Sequence, residues 1–591
     1  MAKKEKPEHF LNTVKRIFSY IGKMNIVLIV ALLLSAIAPL SRISGSVFFQ
    51  IIIDNYLIPL SNNYSNQLYI KFLYTVFILI CIFFSGVVII FIYKQLMVKI
   101  STSILYRIRI DLFQKMEKLP IEYFDTNKHG DIMSIYTNDT ENIRDFLSSA
   151  ITDFIYDSVQ TIFVIIAMLF YNWMLSIVIG ISLLTMFIVS KKFAKTTGRL
   201  FKEQQDKLGK LNGYMEEMIE GQKVVKVFNY EERSNDGFEK LNNDLYDVSV
   251  KANFFTMALS PILRDIGCIG YSIIVIIGVI FIMNNYVTIG IAIVFFQFSR
   301  AIIFPIFSIG QSFTMFMNAM ASAERIFNVI DKKDEIDNGK IVLDKDKIIG
   351  NIVFDNVTFR YNDKKDTLKN ISFTAGPNKK VAFVGSTGAG KTTITNLITR
   401  FYDIQEGKIT FDGMDVKDIK KSSLRKNISV VLQDTNLFTG TIIENIRYGR
   451  MNASDDEIIQ AAKLTSADNF IKALKDGYNT VITDSGGSLS QGERQLLSIT
   501  RAVISDASII ILDESTSSID TRTEKLIERG LNVLMEGKTV FIIAHRLSTI
   551  KNSDEIVVLE HGNIIEKGNH SDLLNNKNRY FQLYNGIIEL D

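Results

Sequence analysis

The hydrophobic positions of this chain follow two different patterns. Residues 1–320 are dominated by long apolar runs, whereas residues 346–591 combine short apolar runs with charged positions and glycine-rich turns. A membrane-spanning helix requires about 20 mostly apolar residues. Runs of this kind lie at roughly 25–58, 72–93, 148–170, 173–193, 255–284 and 287–319. The pattern therefore predicts six membrane-spanning helices, followed by a domain of α/β type.

The segments between the predicted spans indicate how the chain is oriented. The third and fourth spans meet at Tyr171–Trp173, and the fifth and sixth meet at Asn284–Tyr286. Segments 94–147 and 194–254, in contrast, are long, charged and still helically patterned. Lysine and arginine crowd the first of these segments but are absent from loop 60–70 and from both short turns. Since positively charged loops stay in the cytoplasm, we expect the N-terminus, both long segments and the second domain to be cytoplasmic.

Composition agrees with a membrane protein and argues against nucleic acid as a partner. Of the 591 residues, 47% are hydrophobic and the mean hydropathy is +0.18, whereas the net charge is only +3. Such a small net charge gives no broad basic field suited to nucleic acid. Abundant Ile, Lys and Asn are typical of an AT-rich bacterial genome. We therefore expect a multi-pass protein of the bacterial cytoplasmic membrane, in contact with membrane lipid.

The N-terminal stretch and the cysteines add two smaller expectations. Stretch 9–25 is amphipathic and is predicted to lie along the cytoplasmic membrane interface. The alternative is that it forms the lower part of the first span. No short apolar run with a small-residue cleavage site precedes it, so we expect no cleavable signal peptide. Cys81 and Cys268 lie in apolar stretches, which favours two small core residues over a disulfide or a zinc site.

Several charged residues fall inside or near the predicted spans. A charge within the membrane is costly, so it should face a wet cavity or a partner group. Arg42 and Arg300 lie deepest in their spans and are the candidates for a substrate cavity. The alternative is mutual pairing or extension to the interface, which is most plausible for Asp153, Asp157 and the neighbours Arg264 and Asp265. The sequence leaves both readings open.

The stretch VAFVGSTGAGKTTITNLI reads as a strand, a loop and a helix. Its centre, Gly385–Thr392, matches G-x-x-x-x-G-K-[ST]. Backbone N–H groups of such a loop and the following helix N-terminus can wrap a triphosphate without side-chain clashes. Lys391 would reach the β- and γ-phosphates, and Thr392 would offer its hydroxyl to Mg²⁺. The predicted nucleotide contacts here are Gly385, Ser386, Thr387, Gly388, Ala389, Gly390, Lys391, Thr392 and Thr393.

Residues at the ends of other apolar runs extend the predicted site. Asp513 and Glu514 end one such run, where Asp513 suits the Mg²⁺ shell and Glu514 suits a general base on the attacking water. His545 follows the next apolar run and is predicted to contact the γ-phosphate. Gln433 follows a third run, and the ring of Tyr361 could stack on adenine. Each would more often be structural if it stood alone, but the phosphate loop favours a functional reading.

Taken in the order in which they occur along the chain, the motifs of the second half resemble those of the nucleotide-binding domain of ABC transporters. The matching segments are the aromatic A-loop (Tyr361), Walker A (Gly385–Thr392), the Q-loop (Gln433), the signature (Leu489–Glu493), Walker B (Ile509–Glu514), the D-loop (Ser517–Asp520) and the switch histidine (His545). The first half resembles the six-helix domain of ABC exporters of the multidrug and lipid class. Segments 121–139 and 220–232 are similar to that family's intracellular loops with their coupling helices, and 322–331 is similar to its linker.

The resemblance implies a multidomain half-transporter, with an all-α six-helix transmembrane domain (1–320), a linker (321–345) and an α/β P-loop ATPase domain (346–591). It implies ATP and Mg²⁺ as cofactors, with Gln433 joining Thr392 and Asp513 at the metal, and with Glu514, His545 and Gln433 in catalysis. Two ATP molecules would be sandwiched between two ATPase domains, so that hydrolysis drives export of amphipathic drugs or lipids by alternating access. The alternatives are a membrane-anchored regulatory ATPase without net transport and a peptide exporter.

The signature of this chain reads LSQGE where the family pattern is LSGGQ. Ser490 and Gly492 are present, so a γ-phosphate contact across the dimer interface is expected. Gln491 adds a side chain, which would cost about 1–3 kcal/mol if that position needs a positive φ or a close backbone approach. The favoured hypothesis is a heterodimer in which this chain is the catalytically complete half and LSQGE closes a weaker site. A homodimer with two equal sites is the alternative.

Overall fold

The computed structural model of the protein describes residues 10–361, 366–432, 435–483, 486–487, 489–513, 521–543 and 550–585. The chain forms two compact units. The first unit consists of Met1–Glu117 and His129–Lys332, and the second of Lys118–Lys128 and Lys333–Asp591. The short segment Lys118–Lys128 thus leaves the first unit and packs with the second.

The first unit is helical and contains the six apolar helices that the hydrophobic pattern predicts. A short helix, α1 (Phe10–Ser19), precedes them. The six long helices are α2 (Asn25–Asn62), α3 (Asn66–Met116), α5 (His129–Tyr171), α6 (Trp173–Glu220), α8 (Glu231–Met283) and α9 (Ile289–Ile330). Helices α4 (Ile121–Thr126) and α7 (Gln222–Val227) lie in the two long charged segments. The six predicted spans are confirmed, and most of the helices extend well beyond them.

Helix α1 is a separate element rather than the lower part of the first span. The chain breaks between α1 and α2 at Gly22, whose φ of +60° belongs to the left-handed region that glycine tolerates best. Arg16 of α1 forms a bidentate ion pair with Asp331 and lies over the ring of Phe327, 4.3 Å from its centroid. The ring of Tyr20 also stacks on Phe327 at 6.2 Å. Helix α1 is therefore fixed against the last turns of α9.

The long helices pack through internal stripes and leave large apolar areas exposed. Buried residues such as Met97, Ile104 and Ile108 recur at helical spacing along the inner face of α3, whereas Phe84 and Phe91 of the same helix are exposed. An outer apolar face of this kind suits contact with lipid. Cys81 and Cys268 are exposed as well. The interpretation of these two cysteines as core residues was wrong, because both lie on outer helix faces.

The second unit is built on two sheets. Strands β1 (Ile352–Phe359), β2 (Leu368–Ala375), β4 (Glu406–Phe411) and β5 (Met414–Asp415) form an antiparallel sheet in the order β2-β1-β4-β5. The central sheet has the order β12-β11-β3-β10-β9-β6. Its strands are β3 (Lys380–Val384), β6 (Ile428–Val431), β9 (Ile509–Asp513), β10 (Thr539–Ile543), β11 (Glu555–Glu560) and β12 (Asn563–Gly568). All of them except β12 run parallel.

Helices surround the central sheet and form a second apolar layer. The helices are α10 (Lys391–Ile398), α11 (Lys421–Lys426), α12 (Ile442–Arg447), α13 (Asp455–Leu464), α14 (Asp468–Ala473), α15 (Gln491–Ser505), α16 (Thr521–Met535), α17 (His570–Asn576) and α18 (Arg579–Tyr584). A two-stranded ribbon joins β7 (Gly440–Thr441) to β8 (Val481–Ile482). Strand β10 is buried along its whole length, which is typical of a parallel sheet covered on both faces. The predicted α/β class is confirmed.

Candidate nucleotide site

The phosphate loop joins β3 to α10 in the arrangement that its sequence predicts. A side chain at Gly385 would place its Cβ 2.2 Å from the carbonyl oxygen of Leu559, so only glycine fits there. Gly390 caps α10 with a φ of +105°, which other residues rarely adopt. Lys391 opens the helix, is only 8% exposed, and donates from Nζ to the carbonyl of Gly385. The loop thus brings backbone N–H groups, a helix N-terminus and an ammonium group together, a combination that suits a polyphosphate.

The order of the parallel strands brings the strand ends that precede the other predicted motif residues to the same edge of the sheet. Strand β10 lies between β3 and β9, and its last residue, Ile543, is level with Phe383 on one side and Asp513 on the other. Strand β6 pairs with β9 on the far side. The carboxyl ends of β3, β10, β9 and β6 therefore share the edge from which the phosphate loop projects. Open α/β sheets bind their ligands at this edge.

Three predicted catalytic residues, Gln433, Glu514 and His545, lie outside the described residues. Each follows the end of β6, β9 or β10 by one or two residues in the sequence. Asp513 is described and ends β9. A carboxylate here and the hydroxyl of Thr392 are both hard oxygen donors of the kind that Mg²⁺ prefers. The residues present therefore fit both a nucleotide and its magnesium ion.

Tyr361 stands beside the first turn of the helix that follows the phosphate loop. Its hydroxyl donates to Thr393 Oγ1 at 3.2 Å and accepts from Asn396 Nδ2 at 3.2 Å. The side chain is 39% exposed, so part of the ring remains available to a ligand. The ring packs edge-on against Tyr402, with 4.9 Å between centroids. Tyr361 therefore lies next to the phosphate loop, and its contact to adenine stays a prediction.

The signature turn forms a capping box at the start of α15. Ser490 is the N-cap, and its Oγ accepts from Glu493 N at 3.3 Å. The Glu493 carboxylate in turn accepts from Ser490 N at 2.8 Å and from Ser490 Oγ at 2.9 Å. Gln491 is the first helical residue and is not among the residues with a positive φ. Gln491 therefore carries no strain from a positive φ, the first of the two conditions, and Glu493 becomes the more informative departure from the family pattern.

Tyr402 is a contact that sequence reasoning missed. Its hydroxyl donates to Asp125 Oδ2 of α4 at 2.6 Å, while its ring supports Tyr361. Burial and this hydrogen bond to a carboxylate raise the pKa of Tyr402 well above its usual range. The described residues thus connect the candidate adenine contact to segment 118–128. The resemblance of 121–139 to an intracellular loop was the available signal, but it did not indicate which residue receives the loop.

Glu335 is a second missed contact, in the segment just after the last long helix. It accepts from Arg425 Nη1 at 2.9 Å and Nη2 at 2.6 Å, and from Lys421 Nζ at 3.2 Å. Its own backbone N–H donates to the carbonyl of Lys118 at 2.7 Å. Burial is the largest influence and would raise the pKa of Glu335, but the hydrogen bonds and positive charges of Arg425 and Lys421 together outweigh it, and the pKa lies below its usual value. Only the rise in charge density after residue 322 marked this segment in the sequence.

The charges of the first unit divide between paired and open positions. Asp153 pairs with Lys94 at 3.6 Å, and Arg264 pairs with its neighbour Asp265 at 3.6 Å, so the pairing alternative holds for these groups. Asp157 is buried. The side chains of Arg42 and Arg300 are both exposed on α2 and α9. Their assignment to a substrate cavity stays a prediction.

Comparison with known proteins matches both halves of the chain. Residues 28–306 match the family model of the ABC transporter transmembrane region, and residues 368–517 match that of the ABC transporter ATPase domain. An uncharacterized ABC transporter ATP-binding protein of Bacillus subtilis, YfiC, is 38% identical over 588 residues, which cover 99% of this chain and 96% of that protein.

Two further relatives carry functional names. A fatty acid ABC transporter ATP-binding/permease protein of Mycobacterium bovis is 37% identical over 81% of this chain and 75% of its own length. An ATP-dependent lipid A-core flippase of Syntrophus aciditrophicus is 36% identical over 83% of this chain and 81% of its own length. Both similarities extend over most of the chain, across both predicted domains.

Proposed function

The chain belongs to the ABC transporters, in the half-transporter form that fuses a six-helix membrane domain to an ATPase domain, and we propose that it is the catalytically complete subunit of a heterodimeric exporter. It is an ATP-driven translocase of the bacterial membrane with a cytoplasmic ATPase domain. Proteins of this kind act as dimers. In the proposal, residues 1–320 form the transport domain, 321–345 the linker and 346–591 the ATPase domain.

The observation that carries the heterodimer proposal is an asymmetry between motifs within one chain. The phosphate loop has every glycine, lysine and threonine of its pattern, and Asp513, the last residue of the buried strand β9, is followed in the sequence by Glu514. The signature, in contrast, departs from its pattern at Gln491 and Glu493. A site that combines this phosphate loop with a partner's regular signature would be fully equipped. The site closed by LSQGE would be the weaker of the two.

The proposed roles of the nucleotide contacts follow from their chemistry. Gly385–Thr393 cradles the phosphates, Tyr361 stacks on adenine, and Ser490 and Gly492 face the partner's nucleotide. Thr392, Gln433 and Asp513 would hold Mg²⁺, which offsets phosphate charge. Glu514 would take a proton from the attacking water, and His545 would lie beside the γ-phosphate. Gln433 would take part in catalysis from its position at the metal.

For the substrate, we propose an amphipathic molecule of the lipid or drug class. Support comes from the names of the two relatives, one a fatty acid transporter and one a lipid A-core flippase. Large exposed apolar faces on the long helices suit a ligand that enters from the bilayer. Arg42 and Arg300 would offer cationic contacts to an anionic headgroup. Arg42 is the single basic residue of α2, and Arg300 is the single charged residue of the predicted span 287–319, which fits a headgroup joined to a hydrocarbon tail.

The decisive experiment is the ATPase rate and the mass of the full chain, purified alone in lipid nanodiscs, with and without Glu514→Gln. We expect little turnover from the chain alone, and turnover after addition of its partner subunit. In that complex Glu514→Gln should lower turnover by a factor of at least about 100, since general-base catalysis contributes about 10²–10⁴-fold.

The outcomes separate the alternatives. A homodimer with vigorous, Glu514-dependent turnover would replace the heterodimer proposal with two equal LSQGE sites. Substantial turnover in the Glu514→Gln complex would refute the assignment of the base. If the complex hydrolyses ATP but moves fatty acids, lipids, drugs and peptides on neither face of a vesicle, the chain is a regulatory ATPase rather than an exporter.

A further inference from the structure

The signature serine of this chain is already engaged by a carboxylate. Glu493 accepts from both donors of Ser490, the backbone N–H at 2.8 Å and the hydroxyl at 2.9 Å. The hydroxyl carries one proton and can donate it to one acceptor at a time. Hydrogen bonds to an ionised carboxylate are roughly twice as strong as those to a neutral oxygen. Any second acceptor that approaches Ser490 must therefore compete with Glu493.

The negative charge at residue 493 is not needed to build the helix. A capping box is closed by glutamine as well as by glutamate, since either side chain offers an oxygen to the N-cap N–H. The same domain contains a similar box at Ser454 and Glu457, where the carboxylate accepts from Ser454 N at 2.8 Å and from Ser454 Oγ at 3.2 Å, and also pairs with the exposed Arg450 at 2.5 Å. The described helices thus include two similar serine–glutamate boxes, of which one lies in the signature.

A γ-phosphate that binds to this signature would lie close to the Glu493 carboxylate, which already accepts from the Ser490 hydroxyl. The guanidinium of Arg494 donates to the carbonyls of Leu489 at 2.6 Å and Gly486 at 3.2 Å, so its hydrogen bonds in the described residues hold the turn and do not pair it with Glu493. Among the described residues, the hydrogen bonds of the Glu493 carboxylate are those with Ser490. Two anions that share one donor repel each other, and the repulsion grows as water is excluded between closing domains.

We propose that Glu493 is a positioning residue that sets how strongly the LSQGE signature holds a γ-phosphate. Its carboxylate holds the two donors of Ser490 more strongly than the glutamine of the family pattern would, and it places a negative charge beside the phosphate, so that the site closed by this signature discriminates poorly between ATP and ADP. This inference rests on the proposed function, in which the signature closes over a nucleotide held by the other subunit. It assigns the weakness of that site to Glu493 rather than to Gln491.

The test compares ATP and ADP in the dimer that the full chain forms in the membranes of its native host. The dimer carries Glu514→Gln, so that hydrolysis at the site of this chain's own phosphate loop does not reopen the dimer, and it is placed in lipid nanodiscs. The probes are Mg-ATP and Mg-ADP with a radiolabel on the α-phosphate. Trapped nucleotide per dimer is measured against nucleotide concentration for the parent, for Glu493→Gln and for the matched control Glu457→Gln.

Glu493→Gln should lower the ATP concentration needed for half-maximal trapping by about tenfold, which corresponds to about 1.4 kcal/mol. The affinity for ADP should stay unchanged, because ADP has no γ-phosphate to meet the signature. The gain in ATP affinity should become smaller as added salt screens the charge of Glu493 in the parent. Glu457→Gln should leave both affinities unchanged. The unfolding temperature of Glu493→Gln should match that of the parent, since its capping box is retained.

Other results would overturn the inference. An equal change in ATP and ADP affinity, or the same gain with Glu457→Gln, would mean that Glu493 acts only on the fold. No change in ATP trapping would mean that Ser490 is not limited by Glu493. The number of responding sites separates this inference from the heterodimer. If ATP affinity changes at one nucleotide site per dimer, the role of Glu493 and the heterodimer are both supported. If it changes at two sites per dimer, the role of Glu493 is upheld and the heterodimer is refuted.

Discussion

Among single residues, Tyr402 connects the candidate adenine contact to the segment that leaves the membrane domain. Its ring meets Tyr361 edge-on at 4.9 Å, and its hydroxyl donates to Asp125 at 2.6 Å. The two contacts use different parts of one side chain. A movement of the Tyr361 ring on nucleotide binding would therefore move the rigid Tyr402 side chain and, through its hydroxyl, Asp125. This is a positioning role rather than a catalytic one.

We predict that Tyr402→Phe loosens segment 118–128 without disturbing Tyr361. The ring contact is retained, but the hydrogen bond to a charged acceptor is lost, which typically costs about 1.5–3 kcal/mol. Amide hydrogen exchange of peptides covering 118–128 should accelerate by about tenfold or more. ATP affinity should stay close to that of the parent.

Tyr478→Phe provides the matched control for this substitution. The Tyr478 hydroxyl donates to Asp468 at 2.8 Å within the same unit, so its loss removes the same kind of bond at another place. Exchange should then rise near residue 478 and not in 118–128. Unchanged exchange of 118–128 in Tyr402→Phe would show that the Asp125 contact does not hold the segment.

The contrast between predicted and missed residues has a physical basis. Gly385, Lys391 and Thr392 could be predicted because a phosphate loop concentrates its chemistry in a short stretch, where spacing alone fixes the geometry. Tyr402 and Asp125 are separated by 277 positions, and neither belongs to a motif with its own chemistry. Their contact depends on how α4 packs, which no local pattern records.

Among the elements, the cytoplasmic end of α9 is fixed by a buried charge. Asp139 of α5 is only 1% exposed and receives a bidentate contact from Arg325 of α9, in which Nε lies 2.8 Å from Oδ2. Asn142 adds a hydrogen bond to Ser322 at 2.9 Å. These contacts connect α5 to α9, the helix that leads into the linker.

We predict that Arg325→Ala destabilises the protein by about 2–3 kcal/mol, because it leaves the Asp139 carboxylate buried without its partner. The value lies toward the lower end of the range for buried pairs, because the Arg325 side chain is itself 57% exposed. The apparent unfolding temperature of the full chain in nanodiscs should fall, and Asp139→Asn in the same chain should recover part of the loss.

Arg144→Ala is the control for loss of an arginine from this region. Arg144 pairs with Glu141 at 2.6 Å and Asp145 at 3.2 Å, but all three side chains are substantially exposed. Exposed pairs contribute about 0–1 kcal/mol. A similar fall in unfolding temperature for both variants would contradict the special importance of the buried Asp139.

The helices illustrate which features of an element the hydrophobic pattern can predict. All six spans were found, because the bilayer selects long apolar runs. The full lengths were not, as α3 runs from Asn66 to Met116 whereas its predicted span covers 72–93. Outside the bilayer a helix needs only a narrow apolar stripe. Charged residues on the other faces obscured the continuation of these helices into the cytoplasm.

For the whole molecule, the two compact units do not follow a single cut in the sequence. Lys118–Lys128 belongs to the second unit although the chain on both sides of it belongs to the first. A change of composition near residue 320 could predict the main division between the units, but not that segment 118–128 packs with the second unit. The backbone N–H of Glu335 donates to the carbonyl of Lys118, so the exchanged segment and the start of the linker are joined within the second unit.

The linker segment is anchored by the ion pairs of Glu335, and their strength should depend on pH. Because the pKa of Glu335 lies below its usual value of 4.5, the carboxylate is charged and its pairing stabilises the unit at every pH above that value. The contribution is lost only as the pH falls through the lowered pKa. At neutral pH, therefore, protonation of Glu335 plays no part in regulation.

We predict that Glu335→Gln lowers the unfolding temperature of the full chain by the same amount at every pH from 7.5 to 5, and by a decreasing amount below about pH 4.5. Glutamine retains the shape of the side chain but not its charge, so Arg425 loses its counter-ion and Lys421 keeps only its longer pair with Asp403 at 3.8 Å. Asp344→Asn is the control, since its pair with Lys347 at 3.2 Å is largely exposed and should contribute little. The measurement is thermal unfolding of parent and variants across this pH range. A gap between parent and Glu335→Gln that already narrows between pH 7.5 and pH 6 would show that the carboxylate takes up its proton near neutrality, and that the paired arginine and lysine do not hold it in the charged form.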